Sequence, residues 1–169
     1  GQTVAVLNIG GMANLSIVAA GGATTGWDCG PGNVLMDGWC QAHTGHPYDA
    51  EGRWARTGQV LPALLQTLLA EPFFARQPPK STGRDLFHPQ WLTAGLQASG
   101  AANARPEDVQ ATLLELTART CAADVQRHAA GAAMLIVCGG GARNTALLQR
   151  LRTLLSSLRV DVSDSHGLP

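Results

Sequence analysis

The chain of 169 residues has no excess of either charge, no long apolar run and no close pair of cysteines. Twelve lysines and arginines balance twelve aspartates and glutamates, so overall charge gives no argument for a nucleic-acid partner or an anionic membrane surface. The longest run of bulky apolar side chains is MLIVC at residues 134–138, far short of the roughly 20 residues that a helix needs to span a bilayer. Cys29, Cys40, Cys121 and Cys138 are widely spaced with no C-x-x-C pair, which argues against a disulfide framework and for reduced thiols in a cytosolic setting. Cys40, His43 and His46 stand three residues apart. Steps of three drift around a helix, so these side chains do not converge as metal ligands, and no fourth ligand is evident. Internal repeats and low-complexity tracts are also missing.

What is present is enough apolar material for one core. Hydrophobic residues make up 45% of the chain, at a length that fits one soluble domain. The chain starts at Gly1 rather than methionine, enters an apolar stretch almost at once, and stops at SDSHGLP with no terminal helix in prospect. It reads as a piece of something larger, in which a signal peptide would not show.

Periodicity sets out the elements. TVAVLNIGG and ANLSIVAA are two strands broken by Gly10 and Gly11, and ATTGWDCG is a third, so the first thirty residues predict an antiparallel meander. NVLMDGWCQAHTG carries Val34, Leu35, Trp39 and Ala42 at helical spacing and closes on Gly45. YDAEGRWARTG is polar and turn-rich. Val60, Leu64, Leu65, Leu68 and Leu69 form the stripe of a second helix. Residues 76–91, RQPPKSTGRDLFHPQW, hold three prolines and no apolar period, and predict a loop. A long helix should start at Pro106, with Glu107 and Asp108 at the positive end of its dipole. On it Val109, Leu113, Leu116 and Thr120 share one face, while Asp108, Glu115, Arg119 and Gln126 point the other way. MLIVC predicts a buried strand, GGGARN a turn, Thr145 to Leu158 a leucine-striped helix and RVDVS a last strand. The sum is an α/β fold: a mixed sheet that opens with a three-stranded antiparallel meander and has helices packed on it.

Four stretches carry candidate chemistry. In NIGGMAN, Gly10 and Gly11 at a hairpin tip let backbone N–H groups reach a phosphate, unless they only shape an ordinary hairpin. In VCGGGARN, Gly139, Gly140, Gly141 and Asn144 follow a buried strand and open a helix, a position that favours anions or close contact with a nucleotide. Asn144 stands where the dinucleotide fingerprint wants glycine, so that motif is excluded. In TGWDCGPGN, Asp28 sits at a strand end among Gly30, Pro31, Gly32 and Asn33. It is placed either to project into a crevice or to cap the next helix, a role open to Asn33 as well. In PPKSTGRD, Lys80, Ser81, Thr82 and Arg84 could hold a substrate, brace two lobes, or form a solvated loop.

Two glycine turns and a strand-end acid on a strand-strand-strand-helix unit resemble one half of the sugar kinase, hexokinase and actin superfamily. More closely, LNIGGMANLSIV, GWDCGPGNVLMD, PPKSTGRDLF, DVQATLLELTA and VCGGGARN, in this order, resemble the anhydro-N-acetylmuramic acid kinase family. The resemblance implies a ribonuclease H-like, actin-like ATPase lobe and a cytoplasmic bacterial enzyme of peptidoglycan recycling. Such an enzyme uses ATP and Mg²⁺ to phosphorylate 1,6-anhydro-N-acetylmuramic acid at O6 while water opens the anhydro ring at C1. It gives Asp28 the role of general base. Gly10, Gly11 and Asn14 become its second phosphate-binding turn, and Gly139, Gly140, Gly141 and Asn144 its nucleotide turn, with no direct metal ligand.

By the same resemblance, residues 1–169 are a single C-terminal lobe. The G-T-S-x-D-G type phosphate segment of the N-terminal lobe and the helix after GLP are absent, and this piece should not catalyse by itself. Its expected partners are ATP, the anhydro-amino-sugar and the missing lobe, with homodimer formation left open, and neither nucleic acid nor membrane. Two rivals stay open: a kinase of the same superfamily for another sugar, and a non-enzymatic ATP-driven switch of the actin or Hsp70 kind.

Overall fold

A computed structural model of the chain describes residues 1–163. The expectations placed on the tail, 164–169, lie outside them. Five strands form one sheet in the order β3-β2-β1-β4-β5. They are β1 (Val4–Ile9), β2 (Met12–Val18), β3 (Thr24–Pro31), β4 (Met134–Cys138) and β5 (Val160–Val162). The first three pair antiparallel, and β4 and β5 run parallel to β1. This order and sense are those of the ribonuclease H-like sheet, as the resemblance implies.

Alternation along the strands decides which face is buried. Ala5, Leu7, Ile9, Ala13, Leu15, Trp27, Cys29, Leu135 and Val137 point into the core. The helices packed there are α1 (Val34–Thr44), α2 (Arg53–Arg56), α3 (Pro62–Leu69), α4 (Pro89–Ala98), α5 (Pro106–His128) and α6 (Thr145–Leu154). α5 is central and has Pro106 in its first turn, Glu107 and Asp108 near its positive end, and Arg127 and His128 near its negative end. Leu113, Leu116 and Cys121 are fully enclosed on it, each leucine worth about 1.5–3 kcal/mol relative to exposure. α5 also grips β3. Thr117 Oγ1 donates to the carbonyls of Pro31 (2.8 Å) and Gly32 (3.1 Å), and Asp124 accepts from the Trp27 indole at 3.0 Å.

Several expectations are corrected. The second helix starts at Pro62, not Val60, because proline takes its first turn; Val60 is left exposed. The segment read as loop to residue 91 already enters α4 at Pro89, where the His88 ring accepts from the Trp91 N–H at 3.1 Å and caps the helix. The polar stretch after Tyr48 holds a short 3₁₀ turn and α2. Glu115 does not point outward: it is buried and held by Arg119 at 2.6 Å and Arg150 at 2.7 Å. The GGGARN turn is a 3₁₀ helix over Gly140–Arg143, and α6 stops at Leu154 rather than Leu158.

Candidate functional site

The carboxyl ends of β1, β3 and β4 and the start of β2 meet at one edge of the molecule. Backbone register lines up Cys138, Asn8, Asn14 and Asp28 across four strands. Directly paired residues share a sheet face, so this polar row lies on the face away from the core. Between Ala13 and Asn14 the β2–β3 register shifts by a bulge, a device that re-aims a strand-end side chain.

Asp28 is half-buried, and the PPKSTGRD loop holds it. Its N–H donates to the Lys80 carbonyl at 3.0 Å, and its Oδ2 accepts from the Thr82 N–H at 2.9 Å. The loop therefore adds to the free edge of β3, across 54 residues of sequence. An open cleft of about 540 Å³ beside Asp28 is lined by Asn14, Ser16, Gly26, Arg76 and Ser81 among others. The Thr82 hydroxyl is buried without a hydrogen-bond partner among the described residues. Neither Asp28 nor Asn33 caps α1 through its side chain. Asn33 donates its amide to the Ile9 carbonyl at 3.3 Å. The hairpin takes the first amide of α1 and the two before it: Gly32 and Val34 donate to the Gly11 carbonyl, and Asn33 to that of Gly10.

Packing sorts the glycines. A methyl group on Gly32 would strike the Gly10 carbonyl, and one on Gly30 would come within 2.7 Å of the Phe74 ring. One on Gly139 (φ +81°) would strike Asn8 and Ile9, and one on Gly141 would strike the Ile9 side chain. These four are required by the fold. Gly10, Gly11 and Gly140 are different: their nearest neighbours would lie at 3.7, 3.8 and 3.5 Å, ordinary contact distances, and none has a positive φ that glycine favours. The Gly11 N–H has no acceptor among the described residues. Gly140 is exposed and borders a pocket of about 340 Å³ with Asn33, Asp37, Tyr48 and Asp49.

Two basic residues of the loop part company. Arg84 lies over the hairpin, its Nη2 3.8 Å from where a Gly11 methyl would sit. Lys80 turns inward, its side chain 1% exposed and its ammonium 3.5 Å from Asp124. Asn144 uses its Oδ1 to accept from the Leu147 N–H at 3.0 Å and cap α6. Asp37, which sequence reasoning did not single out, has its carboxyl pushed up to about 6 by burial, against Arg84 and with Asp49 adding to the rise. Asn8 and Arg76 were missed as well. An exposed asparagine at the end of an apolar strand was the available signal for Asn8, and Arg76 had none.

All four cysteines are free. The His43 ring packs against Trp39, tilted by 45° with centroids 3.9 Å apart. Among the described residues no group of three or more His, Cys, Asp or Glu is placed to hold a metal ion, and no helix is long and apolar enough to cross a membrane.

A chain with this sheet order, a glycine hairpin at the end of β1 and a second glycine turn at the end of β4 has the α/β fold of the ribonuclease H-like class. The family described as anhydro-N-acetylmuramic acid kinase matches residues 1–169, and the chain belongs to that family. Curated relatives of that description include one from Variovorax paradoxus (strain S110), 58% identical over 174 residues. Others come from Ralstonia nicotianae, 55% over 171 residues, and Xanthomonas campestris pv. campestris, 53% over 164. They cover 100%, 97% and 97% of this chain, which in turn covers 46%, 44% and 43% of them. The chain thus spans less than half the length of the relatives it matches. Among solved structures, the activator of 2-hydroxyisocaproyl-CoA dehydratase from Clostridium difficile with bound ADPNP is 16% identical with a TM-score of 0.49, over 95% of this chain and 53% of that one.

Proposed function

We propose that these residues form the C-terminal lobe of an ATP-dependent sugar kinase that phosphorylates 1,6-anhydro-N-acetylmuramic acid at O6 and opens its anhydro ring with water. The product is N-acetylmuramic acid 6-phosphate, a step of peptidoglycan recycling in the cytoplasm. The observation that carries this reading is the fixed carboxylate of Asp28, which lies inside β3, three residues short of its end at Pro31, beside a polar cleft, in a chain of this family.

Asp28 has one oxygen engaged by the Thr82 N–H, while Oδ1 accepts no hydrogen bond among the described residues. That free oxygen takes a proton from a water as the water attacks C1, a contribution of about a hundredfold or more for a positioned base. The C1–O6 bond breaks with its electron pair passing to O6, which takes the γ-phosphoryl group of ATP as ADP leaves. Asn14, level with Asp28 on the next strand, supplies a neutral polar contact in the same cleft.

The residues fit a nucleotide chiefly by access, with one cation beside it. Gly10, Gly11 and Gly140 carry no side chain where the fold would tolerate one, so backbone can approach phosphate closely. Arg84 over Gly11 supplies a cation there. Mg²⁺ would ride on the phosphates and neutralise their charge when bound. The polar cleft beside the acid favours an enzyme over an ATP-driven switch.

The test is Asp28→Asn in that full-length protein. Turnover of the anhydro sugar should fall by about a hundredfold or more, with ATP affinity kept within a factor of a few. Retention of most of kcat would overturn the base assignment, and equal turnover of simple hexoses by the unaltered enzyme would overturn the substrate.

A further inference from the structure

The loop that reaches Asp28 carries a lysine in its midst, and that lysine is buried. The Lys80 ammonium lies 3.5 Å from Asp124 Oδ2, with side chains 1% and 3% exposed. It also approaches the Phe73 carbonyl at 3.5 Å and sits 4.9 Å over the Phe73 ring. Asp124 accepts from the Trp27 indole at 3.0 Å and has Arg127 at 3.8 Å. A buried ion pair is a poor source of net stability, because desolvating two charges offsets their attraction, and apolar side chains of similar volume often serve as well. In some proteins such a pair instead fixes one defined register between two segments, and the contacts around this one suit that use.

The register fixed here is that of Asp28. Trp27, which hydrogen-bonds Asp124, is its chain neighbour. The Lys80 carbonyl accepts the Asp28 N–H, and the Thr82 N–H two residues on holds Oδ2. The buried cluster therefore grips both strands of the short ladder in which the carboxylate is set.

We propose that Lys80 and Asp124 are positioning residues for Asp28: an internal ionic clamp that touches no substrate and holds the loop so that one carboxylate oxygen is tied and the other faces the cleft. This rests on Asp28 acting as the base. A displaced base loses rate without losing substrate affinity, since misplacement of about 1 Å can cost a hundredfold in turnover.

The test uses the full-length enzyme with Lys80→Met and the double variant Lys80→Met/Asp124→Asn, which leaves no unpaired buried charge and keeps an acceptor for Trp27. Three measurements are made on each: kcat and KM for both substrates, thermal midpoint, and hydrogen exchange at the Asp28 and Thr82 amides. In the double variant kcat should drop about tenfold or more, with KM for ATP within about twofold, a near-native midpoint, and faster exchange at both amides. A double variant that folds and keeps native kcat, or protects both amides as before, overturns the clamp. If the unaltered enzyme fails to turn over the anhydro sugar, the proposed function fails instead, and exchange at the two amides still decides the clamp: acceleration supports it and unchanged protection overturns it.

Discussion

The two glycine turns beside the end of β1 are written alike and built differently. In the turn at 139–141, Gly139 and Gly141 are flush against Asn8 and Ile9, so their missing side chains are a condition of folding. In the hairpin at 10–11 both glycines have room for a methyl group and ordinary backbone angles, so the fold leaves their bareness unexplained. Gly140 stands with the hairpin in this respect, although it lies between two structural glycines. A glycine run therefore mixes two kinds of constraint, packing and access, and substitution can separate them.

The largest effect should come from the structural kind. Gly139→Ala places a methyl against Asn8 and Ile9 at φ +81° and should cost about 2–4 kcal/mol of stability in chemical denaturation. A loss under about 0.5 kcal/mol would show that the end of β1 can yield, and the comparison would break. Next comes the clasp behind the same turn. Glu115 on α5 holds Arg150 on α6, the helix that follows the 139–141 turn, at 2.7 Å and 2.9 Å. Burial alone would raise its carboxyl, but hydrogen bonds from Arg150 and Arg119 outweigh this and hold it below the ordinary range. Its stabilisation is therefore present above the unfolded-state pKa, near 4.3, and is lost as pH falls through the lower folded value. Glu115→Gln should cost about 1.5–3 kcal/mol at pH 7, and less as the pH falls below 4.

The access kind should answer in the opposite way. Gly11→Ala and Gly140→Ala should leave the thermal midpoint almost unmoved and weaken ATP binding by about tenfold, the size of one strong hydrogen bond. Calorimetric titration of the full-length protein checks this. Unchanged affinity in both variants would remove the argument for close phosphate approach.

Much of the framework was legible because its causes are local. The meander follows from alternation broken by Gly10 and Gly11, the end of α1 from Gly45 in the left-handed region, and the start of α5 from Pro106. α4 was hidden because its start signals, His88 and Pro89, lie in a proline-rich stretch without apolar period. Glu115 was misjudged, and the burial of Lys80 was not foreseen, for another reason: their partners, Arg150 and Asp124, are 35 and 44 residues away, and no local pattern marks a charge that will be paired in the core. The same limit applies to the site. Asp28 stood out by its setting of turn formers, but the loop that holds it joins from residue 82. That Gly140 is bare for access and Gly141 for packing depends on where Ile9 lies, which sequence spacing does not encode.

The smallest effect probes the ground between the two turns, where Asp37 borders the pocket beside Gly140 and feels Arg84 over Gly11. Burial raises its carboxyl to about 6, Arg84 opposes the rise and Asp49 adds to it. The folded state therefore binds this proton more tightly than the unfolded chain. The contribution to stability is full below about pH 4 and is lost as pH rises through about 6. Asp37→Asn should remove that slope, giving a variant slightly more stable than the parent at pH 7 and indistinguishable from it near pH 4. Arg84→Met should do the reverse and extend the slope to higher pH, because the charge opposing the rise is gone. Denaturation midpoints of the three proteins between pH 4 and pH 7 decide the matter. Parallel curves for the parent and Arg84→Met would mean that Arg84 does not reach Asp37, and with that its placement over the hairpin would fail.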